Sequence, residues 1–135
     1  MSKSDDNQNN FILITEDESS IMKKFKRAVT DSGSEIIFDE ENKPGISNLI
    51  NIYAAVKSIG REDVEKEFSG SRYGDFKMAV GTAVAETLSP IKEKYEELMK
   101  DKGYLESVLK MNAERARASA EVTLKDVYNK VGFIM

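Results

Sequence analysis

The sequence predicts a mainly α-helical fold, a helical bundle, from the spacing of its apolar residues. Apolar side chains recur every three or four residues through residues 73–98 and again through residues 105–131. A wide apolar face of the same spacing runs through residues 46–56. The run Phe11–Ile14 is too short to decide between a strand and a buried turn, and we interpret it as a short extended segment. Helices with apolar stripes bury them against one another, which predicts a bundle.

The first helix is predicted from a capping signal. Thr15 and Glu18 have the spacing of a capping box, and apolar residues follow from Ile21 at helical intervals. Because Gly33 is a helix stop signal, we expect this helix to end at Ser32–Gly33.

The middle of the chain is predicted to hold a loop and three helices. Residues 34–43 read as a loop that crosses to a helix at residues 46–57, and a short helix with Gly70 at its end follows. The long helix from Tyr73 contains Pro90. Proline removes one helical hydrogen bond, so we expect a kink or a break there.

The last helix is predicted between Gly103 and Gly132. Two long helices joined by a short turn predict an antiparallel pair, which the helix at 46–57 would complete as a bundle. The small residues Ala113, Ala116 and Ala120 would let neighbouring helices approach closely.

The composition excludes several classes of function. The 135 residues include no cysteine and no histidine, which excludes thiol nucleophiles, Ser-His catalysis and the usual zinc ligands. An autonomous enzyme is therefore not expected. Twenty basic and 24 acidic residues give a net charge of -4, so any RNA contact has to be local. No stretch approaches the roughly 20 apolar residues of a membrane span, and we expect a cytoplasmic protein.

Two clusters offer candidate chemistry. Ser2, Lys3 and Ser4 provide an ammonium and two hydroxyls that suit a phosphate chain, although a solvated leader commonly has this composition. Arg72 and Lys77 flank two aromatic residues, and such a combination suits the stacking of unpaired bases. The rings also begin the apolar stripe, so we assign them to the core and keep the two cations as candidates for RNA binding.

Arg115 and Arg117 on the last helix are further candidates for RNA binding. Helical geometry places them roughly 200° apart around the axis, so they cannot both face one ligand. The carboxylates of the chain are scattered among lysines, and no metal site is predicted from them.

Five segments together resemble the C-terminal part of the bacterial tryptophanyl-tRNA synthetases, which are class I aminoacyl-tRNA synthetases. In order, they are Met1–Ser4, Ala28–Gly33, Lys43–Leu49, Tyr73–Lys77 and Glu86–Ile91. The first matches the last four letters of the KMSKS signature, and its methionine favours the tryptophan enzymes over the tyrosine enzymes. The match runs essentially end to end. Two departures are the missing first lysine of the signature and Asp6, which stands where proline is common.

The resemblance implies a role in charging tRNA(Trp) with tryptophan at the expense of ATP, which is used with Mg²⁺ by the full-length enzyme. Position by position, it places the second lysine of the signature on Lys3 and the two serines on Ser2 and Ser4. These three residues are implied to bind ATP and pyrophosphate, and Lys3 is the implied catalytic residue.

The resemblance also implies a division of the chain. Residues 1–33 would be the remnant of a Rossmann-like catalytic domain with the signature loop, and residues 34–135 a helical anticodon-binding domain. Tryptophan and ATP would bind through a missing catalytic half, so we expect the chain alone to be inactive and monomeric, and the full-length enzyme to be a homodimer. The alternative is a helical protein-interaction module, which predicts no RNA binding and an exposed apolar patch.

Overall fold

The computed structural model describes residues 7–133, and this part of the chain contains helices and no strand. A 3₁₀ turn at Gln8–Asn10 precedes five α-helices: α1 (Glu18–Arg27), α2 (Pro44–Lys57), α3 (Arg61–Glu67), α4 (Tyr73–Lys100) and α5 (Lys102–Val131). The mainly α-helical fold class is therefore confirmed. None of these helices combines the length and the apolar character needed to cross a bilayer.

The first helix is shorter than predicted at both ends. Its N-cap is Asp17, whose carbonyl accepts from the Ser20 and Ile21 amides, so the capping box expected from Thr15 is wrong. The helix ends at Arg27 because Ala28 has an extended backbone, with ψ 132°. Residues 28–33 leave the helix and run across the starts of α2 and α4.

The second and third helices follow the predicted order. Pro44 opens α2 at its first turn, where a missing N–H costs no helical hydrogen bond. Ser58 ends it with a left-handed backbone, φ 55°. After α3, Gly70 adopts φ 78°, a value that glycine reaches without a steric penalty, and it lies in the turn that leads into α4.

One apolar core joins α1, α2, α3 and the first half of α4. Its centre is an aromatic group in which the rings of Tyr53 and Phe68 lie 5.1 Å apart and those of Phe68 and Phe76 lie 4.8 Å apart. Gly81 lets α1 approach α4, since a Cβ there would lie 2.8 Å from the sulfur of Met22. The buried apolar residues are Ile21, Phe25, Ile36, Ile46, Leu49, Ile50, Tyr53, Ala54, Val64, Phe76, Val80, Ala83, Val84 and Ala85.

The fourth helix continues through Pro90, so the break considered for this position is wrong. The proline leaves the carbonyl of Glu86 without its helical donor. Glu86 is exposed, and water can therefore replace the missing N–H.

The fifth helix contains no buried residue. Ala113, Ala116 and Ala120 are all exposed, so the close packing predicted for them is absent from the structure. Leu109 and Val122 are each 71% exposed, and the apolar spacing of this helix therefore does not report a buried face. Its end follows the prediction, because Gly132 stops the helix with φ 77°.

The chain divides into two compact units between Glu93 and Lys94. The core described above lies entirely in the first unit, and the second unit holds the end of α4 with α5. The boundary predicted between residues 33 and 34 separates a remnant of a catalytic domain from a helical domain. It stays a prediction.

Replacement of Phe76 by alanine tests the aromatic centre of the core. Phe76 is fully buried, so Phe76→Ala should lower the free energy of unfolding by about 3–5 kcal/mol through lost burial and a cavity. Urea denaturation followed by circular dichroism measures this change. Val122→Ala on the exposed face of α5 is the control and should change it by less than about 0.5 kcal/mol. Equal effects of the two substitutions would contradict the assignment of the core.

Candidate nucleic-acid interface

An open groove of about 650 Å³ lies in the first unit, between the loop after α1 and the turn before α4. One wall is the backbone of residues 33–37, and the other is formed by residues 69–74. The groove is lined by Gly33, Ser34, Glu35, Ile36, Ile37, Glu65, Ser69, Gly70, Ser71, Arg72, Tyr73 and Gly74.

A polar cluster of Asp31, Lys43 and Tyr73 fixes the start of the first wall. Tyr73 Oη lies 2.9 Å from Asp31 Oδ1 and 3.1 Å from Oδ2, and Lys43 Nζ lies 2.9 Å from Tyr73 Oη. The Gly33 amide donates to Asp31 Oδ1 at 2.7 Å. Three stretches that are distant in the sequence therefore meet at one hydroxyl group.

The donors and acceptors of this cluster balance. A tyrosine hydroxyl has one proton, which Tyr73 donates to Asp31, and its oxygen accepts from Lys43. The Glu35 carbonyl lies 3.2 Å from Lys43 Nζ, so the ammonium supplies its proton. Lys43 Nζ also lies 3.6 Å from Asp31 Oδ1, at the distance of an ion pair. The carboxylate and the ammonium each keep only about a fifth of their side-chain surface exposed.

The same contacts shift the pKa values of the cluster. Burial acts to raise the pKa of Asp31, but the hydrogen bonds from Gly33 and Tyr73 and the charge of Lys43 together lower it below its ordinary value of 3.8. The hydrogen bond to Tyr73, followed by the charges around it, raises the pKa of Lys43 above 10.5 despite burial. At neutral pH the cluster is an ion pair bridged by a neutral tyrosine.

Gly33 is required by its closeness to this cluster. A Cβ on Gly33 would lie 2.6 Å from Asp31 Oδ1, 2.8 Å from Lys43 Nζ and 3.2 Å from Tyr73 Oη. The first two separations are shorter than a Cβ makes, so a side chain here would displace the ends of the Asp31 and Lys43 side chains.

The far end of the same wall is fixed by two further hydrogen bonds. The Phe38 amide donates to Glu65 Oε1 at 2.6 Å, and the Asp39 amide donates to the buried hydroxyl of Ser47 at 2.8 Å. The guanidinium of Arg61 lies 4.1 Å from the centre of the Phe38 ring. The wall is therefore held at both ends, and the side chain of Ile36 between them is buried in the core.

The two predicted cations of the first unit, Arg72 and Lys77, have different surroundings in the structure. Arg72 is exposed and lines the groove, and its guanidinium makes no ion pair with a described residue. Lys77 lies one turn further along α4 and donates from Nζ to the Ala28 carbonyl at 2.7 Å. This bond holds the segment after α1 against α4, and Lys77 does not line the groove.

The remaining predicted residues lie elsewhere. Arg115 and Arg117 are exposed on α5, in the second unit. Ser2, Lys3 and Ser4 lie outside the described residues. Within residues 7–133, no three carboxylates are placed to hold a metal ion.

Asp31 and Lys43 were not predicted as site residues, and only the ring of Tyr73, which packs against the core, was assigned a role. Each of the three stands in a segment that carries the family resemblance. A usable signal was that all three are polar groups at the ends of predicted elements, where unpaired backbone groups and loops need partners. Their contact could not be predicted, because the three residues are separated in the sequence.

The groove offers hydrogen-bonding groups and an apolar surface, without an excess of positive charge. Its side chains carry two carboxylates, of Glu35 and Glu65, against the one guanidinium of Arg72, so it has no excess of positive charge to attract phosphates in bulk. Serine hydroxyls and carboxylates can hydrogen-bond the edges of unpaired bases, and the exposed side chain of Ile37 offers an apolar surface for a ring.

Acid titration tests the ionic state of the cluster. Because folding lowers the pKa of Asp31, its contribution to stability is present above pH 3.8 and is lost as the pH falls through the folded value. Asp31→Asn should therefore reduce the steepness with which the free energy of unfolding falls from about pH 5 to about pH 2. Urea denaturation at a series of pH values across this range measures the free energy of unfolding. Glu106→Gln on α5 is the control. Identical slopes for parent and Asp31→Asn would contradict the cluster.

Comparisons with known proteins place the chain in a family. The model of the tRNA synthetases class I (W and Y) matches residues 1–89. The crystal structure of tryptophanyl-tRNA synthetase from Mycoplasma pneumoniae is similar over 99% of this chain, at 29% sequence identity and a TM-score of 0.77. The chain spans 41% of the length of that protein. The family match covers the groove and both of its walls, and we conclude that the chain belongs to the class I tRNA synthetases of tryptophan and tyrosine.

Proposed function

We propose that this chain contributes tRNA anticodon recognition and the ATP-binding signature loop to a tryptophan–tRNA ligase. The observation that carries the proposal is the similarity to the Mycoplasma pneumoniae tryptophanyl-tRNA synthetase over 99% of the chain. The ligase would activate tryptophan with ATP and transfer it to tRNA(Trp). Since the chain spans 41% of that relative, the tryptophan pocket and most ATP contacts are assigned to a catalytic half outside it.

The groove beside Arg72 is the proposed contact for the anticodon. Anticodon bases are unpaired, and unpaired bases are recognised by hydrogen bonds to their edges and by stacking. Residues 33–37 and 69–74 offer both kinds of contact on a wall that is held at its two ends. Arg72 would contact a phosphate or a base, and Lys77, Arg115 and Arg117 remain weaker proposals for the same tRNA.

The signature residues would act on ATP. An ammonium and two hydroxyls at Ser2, Lys3 and Ser4 can hydrogen-bond the phosphates and balance the charge that develops on pyrophosphate as it leaves. Mg²⁺ would enter with ATP, since the described residues provide no carboxylate set for it. We further propose a monomer for this chain and a homodimer for the complete enzyme.

A protein-interaction role is the second candidate, and one observation favours it. The fifth helix exposes several large apolar side chains, including Leu109, Val122 and Val131. Apolar side chains grouped on one helix are a common feature of partner contacts. This role predicts a binding partner and no RNA binding.

Binding to tRNA(Trp) tests the proposed anticodon contact. The chain should bind tRNA(Trp) more tightly than the same tRNA with a changed anticodon, because unpaired anticodon bases supply the specific contacts. Fluorescence anisotropy measures both affinities. Near-physiological salt is used because it weakens non-specific electrostatic attraction. Arg72→Ala should weaken the preferred complex by about 1–3 kcal/mol, a factor of about 5 to 160.

Lys110→Ala is the control for this experiment, because it removes an exposed cation of α5 that does not line the groove. Its affinity for tRNA(Trp) should match that of the parent. Equal binding of both tRNA molecules, or equal losses for the two variants, would contradict the placement of the contact.

Lys3→Ala tests the signature loop in a complete enzyme that contains this chain. Tryptophan activation should slow by about a hundredfold or more, because the ammonium acts on charge that develops in the transition state. Affinity for tRNA(Trp) should stay roughly constant. Pyrophosphate exchange measures the first quantity and filter binding the second. An unchanged rate of activation would rule out the assigned role of Lys3.

A further inference from the structure

We propose that Tyr73 is a positioning residue whose hydroxyl, with Asp31 and Lys43, latches residues 33–37 into the shape that binds unpaired RNA. The proposal rests on the function proposed for the groove. It adds that affinity depends on a hydroxyl that hydrogen-bonds the protein rather than the RNA. We call Asp31, Lys43 and Tyr73 the latch.

The latch acts on a stretch of backbone with few other attachments. Residues 33–37 lie in neither a helix nor a strand. Apart from the buried side chain of Ile36, this stretch is exposed. Its Gly33 amide donates to Asp31 and its Glu35 carbonyl accepts from Lys43, and both partners are bonded to Tyr73. Loss of the Tyr73 hydroxyl therefore removes the group that holds the two partners together.

Tyr73 is suited to this role by its own support. It is the first residue of α4, and Phe76, one turn later, is fully buried in the core. The ammonium of Lys43 also lies 5.6 Å from the centre of the Tyr73 ring. The ring is thus fixed by the core, while its hydroxyl reaches the loop.

A fixed wall strengthens binding because an ordered surface loses less conformational freedom when a ligand binds. A loop that moves before binding would have to be ordered by the RNA itself, and part of the interaction energy would be spent on that ordering. Loosening the wall should therefore weaken RNA binding without removing a contact to RNA.

The test is Tyr73→Phe in the full chain, which keeps the ring and removes only the hydroxyl. We expect ¹⁵N order parameters of residues 34–37 to fall from rigid values of about 0.85 towards about 0.6 or below in the free protein. Affinity for tRNA(Trp) should fall about tenfold, as for a lost hydrogen bond to a charged group. The slope of affinity against salt should not change, because no phosphate contact is lost.

Gly33→Ala is the second variant. Its Cβ would lie 2.6 Å from Asp31 Oδ1 and should displace the Asp31 carboxylate. This variant therefore disturbs the latch without substituting any of its three residues. It should reproduce the lower order parameters and the lower affinity. The controls are Tyr104→Phe, which removes an exposed hydroxyl, and Gly103→Ala, where a Cβ would make an ordinary contact of 3.6 Å.

The outcomes separate the latch from the function of the groove. If the parent chain binds no tRNA, the proposed function and the RNA role of the latch both fall. If the parent binds and Tyr73→Phe keeps rigid order parameters or full affinity, the latch alone is overturned. Lower order parameters together with weaker binding, in both latch variants and in neither control, support the proposal.

Discussion

The first unit depends on the close contact between residues 28–33 and the starts of α2 and α4. A Cβ on Gly45 would lie 2.2 Å from the Val29 carbonyl oxygen, so no other residue could stand at this crossing without moving the backbone. On the α4 side, Lys77 donates to the Ala28 carbonyl at 2.7 Å. These contacts replace the helical hydrogen bonds that α1 gives up after Arg27, and they carry the chain from the helical core to the groove.

This contact also explains why polar residues of the family segments behave as structural residues. Lys43, Tyr73 and Lys77 carry groups that could bind a ligand, yet each bonds to the stretch that begins at Ala28. A loop outside regular secondary structure has unpaired carbonyl and amide groups, and leaving them buried and unpaired would cost stability. Charged side chains from two helices satisfy them here.

Local signals predicted the elements well and their contacts poorly. The spacing of apolar residues found all the long helices, and Gly132 marked the end of α5, because both signals act within a few residues. The end of α1 was wrong because the contacts that stop it come from Gly45 and Lys77, far along the chain. Likewise, Arg72 was singled out from its aromatic neighbours in the sequence and lines the groove, whereas the cluster around Tyr73 needs three separate stretches to meet.

The exposure of α5 shows the limit of periodicity as evidence for burial. An apolar stripe predicts which side of a helix can be buried, and it contains no information about what lies opposite. In the first unit the stripes of α1, α2 and α4 meet one another, so periodicity and burial agree at residues such as Phe25, Ile50 and Val80. In α5 the same spacing coexists with full exposure of its alanines. Periodicity therefore predicted the helix correctly and its packing incorrectly, because packing needs a second surface as well as a stripe.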